Sequence, residues 1–179
     1  MNNKSRIHWI ARTAIMLALL IVLQYLTSLT GITLITGSVV NLVLILTVML
    51  SGLSSGLTVA LISPVVAKLI GIGPLWSLIP FIALGNIVLV LLWHVIGNGK
   101  WANGLVRNIV AAVVAAAAKF LVLFLTIAKL MVPVVLRLPE PQASVISATF
   151  STQQLVTALI GGAAAVLLVP PLQKALGKR

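Results

Sequence analysis

What this chain can fold into is decided by its uninterrupted apolar runs. From Arg12 to Tyr25 the sequence reads Arg-Thr-Ala-Ile-Met-Leu-Ala-Leu-Leu-Ile-Val-Leu-Gln-Tyr, a stretch with one charge and that one at its start. A helix rises about 1.5 Å per residue, so about 20 mostly apolar residues cross the hydrocarbon of a bilayer. Gly, Pro and polar breaks divide the chain into six candidate spans, at about 10–30, 36–51, 56–71, 79–97, 105–132 and 149–173. With 61% hydrophobic residues there is too little polar side chain to coat a soluble globule. The sequence therefore predicts an all-α integral membrane protein: one domain, 1–179, of six transmembrane helices. The first run has the basic start of a secretory signal. It is too long for one, lacks a small-residue cleavage site and is followed by further spans, so it is expected to stay as structure.

Charge sets the expected orientation. Twelve Lys and Arg face a single acid, Glu140, for a formal charge of +11. In a soluble protein that balance would point to nucleic acid, but here the positions follow the membrane. With the amino end inside, Lys4, Arg6, Arg12, Lys100, Arg107, Lys174, Lys178 and Arg179 fall at the cytoplasmic face, while Lys68, Lys129 and Arg137 fall near the outer one. The positive-inside rule thus predicts cytoplasmic N and C termini in a multi-pass plasma-membrane protein, with the lipid bilayer as its surroundings and no nucleic-acid partner.

Catalytic and metal motifs are missing. There is no G-x-x-x-x-G-K-[ST] phosphate loop, no carboxylate pair, no H-E-x-x-H and no cysteine, and His8 and His94 sit at expected membrane borders. No Gly-x-Ser is matched to an activating histidine, and one acid is too few for the buried proton relay of an antiporter. The reading is a non-enzyme with no catalytic residues and no metal site, which does not hydrolyse ATP itself.

Neutral polar residues remain in the outer half of the spans: Gln24, Tyr25, Asn41, Asn86, Gln153, Gln154 and Thr157. An amide in lipid is costly unless paired, so these should face the protein interior. For Asn41 and Asn86 the choice lies between helix-to-helix hydrogen bonding and a binding site. Lys119 is the most informative charge, because no acid lies at its depth; it must snorkel, meet carbonyls or meet a ligand. Lys68 and Lys129 are expected to snorkel at the outer border, and Trp9, Trp76, Trp93 and Trp101 to sit at the interfaces. The third span is short and carries Pro64, which favours a kink. Pro133–Ala148 reads as an outer loop whose proline-stiffened part, Leu136–Gln142, could cover a site. On the first helix Ala11, Ala14 and Ala18 share one face, and such a strip of small residues lets another helix approach closely.

The basic start followed by Arg12-x-Ala14-x-x-x-Ala18, six spans in 179 residues, and Ser63-Pro64 and Gly85-Asn86 in the third and fourth spans together resemble the substrate-binding S components of energy-coupling factor (ECF) vitamin transporters. The resemblance implies a subunit of the bacterial cell membrane that captures a vitamin at its outer face. Ala11, Ala14 and Ala18 would dock a transmembrane T protein carrying two cytoplasmic ATPases, which use ATP and Mg; the chain itself would bind no cofactor. Trp76, Asn86, Lys119, Gln142, Gln153 and Gln154 become the candidate substrate-binding residues. Transport would proceed by toppling of the S component, and a nearly uncharged body can rotate in lipid at lower cost than one dragging several charges. A cobalamin-type ligand is the first expectation, matched by amide side chains, and pantothenate the next. The rival readings are a secondary transporter or channel working without ATPases, and a structural membrane scaffold.

Overall fold

Helix is the only regular structure among the described residues, and its hydrogen bonds within one segment satisfy the backbone without water, as hydrocarbon demands. The computed structural model describes residues 3–177, so Lys178 and Arg179, with the side chain of Lys4, lie outside the described residues. The elements are α1 (Asn3–Ser28), α2 (Thr33–Ser51), α3 (Leu53–Leu69), a single 3-10 turn (Trp76–Leu78), α4 (Ile79–Gly97), α5 (Gly104–Leu123) continued by a π-helical stretch (Phe124–Val135), α6 (Gln142–Thr149) and α7 (Thr152–Ala175). Five helices are long and apolar enough to cross a membrane. The sixth, α3, has 17 residues, roughly 25 Å of rise against the ~30 Å of bilayer hydrocarbon.

Two expectations are corrected between Pro133 and Thr149. Pro133 belongs to helix rather than loop: the fifth span runs on to Val135 in the wider π register, and Leu136 N–H closes it by donating to the Met131 carbonyl at 2.8 Å, five residues back. The expected loop also contains α6, whose Ala143 and Ile146 pack on Leu78, Leu123, Ile127, Met131, Val132 and Phe150. Apolar residues inside a nominal loop thus found a core of their own. Trp93 is likewise corrected. It is fully buried rather than at an interface, in a core with Leu44, Ile45, Val48, Leu89, Ala111, Ala115 and Ala165. The alanine run of α5 explains this, since small side chains facing α4 leave the space a large indole fills.

Contacts define one end of the bundle. Thr13 of α1 shares a hydrogen bond with Ser55 of α3 (2.8 Å), Gln173 of α7 donates to the Met49 carbonyl of α2 (3.3 Å), and Arg107 of α5 donates to the Gly99 carbonyl. The two apolar cores lie on either side of a polar layer. On α5, Ala115 belongs to one core and Leu123 to the other; Lys119 stands between them on the same helix face. On α4, Asn86 stands likewise between Ile82 and Leu89.

Candidate functional site

Lys119 has nowhere to snorkel. It sits mid-helix on the inward face of α5 and is 3% exposed, with Asn86 (3%) and Asn41 (1%) equally enclosed. Its Nζ donates to Asn41 Oδ1 at 2.6 Å and to Asn86 Oδ1 at 2.8 Å, so the amine is held between α2 and α4. The chain of bonds continues: Asn41 Nδ2 donates to Thr157 Oγ1 at 3.3 Å, and the Thr157 hydroxyl donates to the Gln154 carbonyl at 3.2 Å. Of the three outcomes open for this lysine, snorkelling is excluded; the amine meets side-chain amide carbonyls and also lines a cavity.

Two glycines bring α2 and α7 close enough for this. A Cβ at position 161 would lie 2.7 Å from the Ser38 carbonyl oxygen and 2.9 Å from the Leu42 nitrogen, and one at position 37 would lie 2.9 Å from Thr157 Cγ2. No real Cβ makes such contacts, and at position 161 the obstacles are backbone atoms that cannot rotate away.

Beside the amine lies a cavity of about 150 Å³. Gln24 of α1, Asn41 of α2, Ser63 of α3, Asn86 of α4, Lys119 of α5 and Gln154 of α7 all line it, and Phe150 borders it. Ser63 is 2% exposed, and its hydroxyl has no hydrogen-bond partner among the described residues. An ammonium has three protons to donate, and two are used on the amide oxygens. Amide dipoles solvate a charge without cancelling it, and Glu140, the single acid, accepts instead from the Ser144 backbone N–H at 3.3 Å in the loop before α6. With Lys119 as an ammonium, the cavity offers one unspent N–H donor beside a hydroxyl unpartnered among the described residues, and no acid lines it.

Asn86, Lys119 and Gln154 of the six candidate substrate-binding residues come together here. The other three do not. Trp76 is 54% exposed in its 3-10 turn, Gln142 lines a separate hollow with Lys68 and Pro74, and Gln153 turns to Thr33, donating to its hydroxyl and tying α7 to α2. Asn41, Ser63 and Gln24 complete the cavity. Their signal in the sequence was depth: each is a polar residue level with Lys119 when the helices run alternately up and down. Lys129 is exposed, its Nζ 5.3 Å from the centroid of the Phe124 ring. Ala11, Ala14 and Ala18 are all exposed on α1, only 11% of whose apolar window is buried, against 50% for α2. Comparison with family models, curated proteins and solved structures returned no match for the chain.

Proposed function

We propose that this chain is the ligand-capturing membrane subunit of a vitamin transporter of the ECF type, holding its ligand in the cavity beside Lys119. The observation that carries the reading is the cavity wall, to which every long helix and α3 contribute a polar side chain and in which Lys119 and Ser63 keep donors unspent. A buried cation solvated only by amides attracts a carboxylate, which accepts the remaining N–H and supplies the charge the site lacks. Ser63 would donate to the same group or its neighbour. Gln24 and Gln154 can match an amide further along the ligand.

Size narrows the ligand. A volume of about 150 Å³ is that of a cavity filled by a benzene-sized molecule. A corrin ring is several times larger and could not enter at all, whereas the carboxylate end of pantothenate fits that volume with the rest of the molecule extending beyond it, so between the two vitamins expected from the sequence pantothenate is the better match. The site lies in the half of the bundle away from Arg6, Arg107 and Lys174, which the positive-inside rule assigns to the cytoplasm; on that orientation the cavity belongs to the outer half. Lacking a phosphate loop, the chain relies on partner ATPases, reached through a T protein docked on α1.

Titration calorimetry of the purified chain tests this. Pantothenate should bind with one site per chain, cobalamin should not, and Lys119→Met should abolish the heat while leaving the helical circular dichroism intact. Tight cobalamin binding, or full affinity in Lys119→Met, overturns the assignment of ligand or site respectively; accumulation of solute by the chain alone in liposomes overturns the ECF reading.

A further inference from the structure

The seam between α5 and α7 is grooved, and two hollows of different chemistry lie along it. In its middle portion the groove is a hollow of about 460 Å³ walled by Ile109, Ala112, Val113, Ala163, Val166 and neighbouring leucines, with almost no polar surface. Ile109 and Val113 are four residues apart on α5, and Leu159, Ala163 and Leu167 follow the same spacing on α7, so each wall is a continuous helix face. One turn further on, the same faces run into a second hollow of about 540 Å³. There Leu105 and Asn108 of α5 and Pro170 and Gln173 of α7 are joined by Lys100 and Arg107, and the ends of α2 and α4 close the other side at Met49 and Gly97.

The second hollow is basic and under-satisfied. Arg107 spends one nitrogen on the Gly99 carbonyl, but its Nε is buried without a partner among the described residues. Asn108 is 5% exposed, lines the hollow and makes no side-chain hydrogen bond among the described residues. Lys100 is exposed on the rim, and no acid lines the site. Two cations and a buried carboxamide converging without a carboxylate make a receptor for an anion carrying several acceptor oxygens, such as a phosphate diester. The apolar hollow near it is open on one side and walled almost entirely by aliphatic side chains, a surface that suits an acyl chain.

We infer that the α5–α7 groove binds an anionic phospholipid, with its phosphate at Lys100, Arg107 and Asn108 and an acyl chain along Ala112 and Ala163. Charge complementarity selects the headgroup, and the apolar continuation selects a lipid over a free anion. The site lies at the end of the bundle opposite the Lys119 cavity and does not depend on what that cavity holds. A lipid there ties the α4–α5 connection to the end of α7, so its occupancy steadies that end of the bundle.

Melting of the full chain in detergent, stripped of lipid, tests the inference. Phosphatidylglycerol should raise the melting temperature by several degrees at concentrations where phosphatidylcholine with the same acyl chains has little effect, and native mass spectrometry should show one retained phosphatidylglycerol. Lys100→Gln/Arg107→Gln should remove the preference for the anionic lipid. Ala163→Trp, which fills the apolar groove and leaves both cations in place, should weaken phosphatidylglycerol binding about tenfold; it guards against misreading a double variant that folds poorly. Equal protection by both lipids would mean ordinary solvation by bilayer lipid, and equal protection by inorganic phosphate a free-anion site. Either result, no protection by lipid, or a preference surviving the double substitution, overturns the proposal.

Discussion

Within the polar layer, Ser63 and Asn41 have opposite relations to the fold. The Ser63 hydroxyl has no partner among the described residues, so Ser63→Ala removes no hydrogen bond seen there and relieves a buried donor of its desolvation. Stability should stay within about 0.5 kcal/mol of the parent in a denaturant titration, while affinity for the ligand falls. Asn41 accepts from Lys119 and donates to Thr157. Asn41→Leu strands a buried amine and should cost about 2–3 kcal/mol, the usual toll for a lost hydrogen bond to a charged group. If the two variants destabilise alike, the polar layer is structural and the unspent donors have no role. The sequence made part of this legible. Lys119, Asn86 and Gln154 stand out as polar residues inside apolar runs. Trp76, Gln142 and Gln153 do not join them, because which way a residue beside a turn points depends on the turn: the 3-10 turn at Trp76–Leu78 and the start of α6 turn the first two elsewhere.

Among the elements, α2 and α7 are the pair on which the site's geometry rests. Their backbones approach at Gly161, where a methyl group would meet the Ser38 oxygen and the Leu42 nitrogen, and neither can move without shifting a helix. Gly161→Ala should destabilise by about 1–3 kcal/mol, as overpacking of a tight core does, and should weaken the ligand as well, since parting the helices stretches the Asn41–Thr157 bond. A thermal melt with and without ligand measures both effects; an unchanged melt would show that the helices part freely. At this scale the apolar runs were enough to place the six long segments to within a few residues at most of their ends, as α2 and α4 illustrate. They were not enough for the π-helical stretch or for α6. Pro133 reads as a breaker because proline removes an N–H, yet a helix already in the wider register accommodates it, and hydropathy carries no mark of register. Trp93 was misplaced for a related reason: an indole four residues from a helix end suits an interface as well as a core, and the alanines of α5 decide between them.

For the whole molecule, the uneven coverage of its helices is the property that bears on assembly. α2 is packed on several sides, whereas α1 touches α2 and α3 and leaves Ala11, Ala14 and Ala18 facing outward. Lipid tails cover such a face at no cost, so nothing in the stability of the isolated chain requires it to be small. Leucine at these positions would bury more surface against lipid and has comparable helix propensity. Ala14→Leu/Ala18→Leu is therefore expected to leave the melting temperature and the binding of ligand unchanged. What it alters is the distance at which another helix can pack, since close helix pairs in membranes rest on small residues at the contact. On the proposed ECF reading, added bulk of two side chains on one face should reduce co-purification with a T protein and its ATPases at least tenfold, and ATP-driven uptake with it. Undiminished co-purification would place the docking surface elsewhere on the chain, and a fall in melting temperature would mean that the strip serves packing within the bundle.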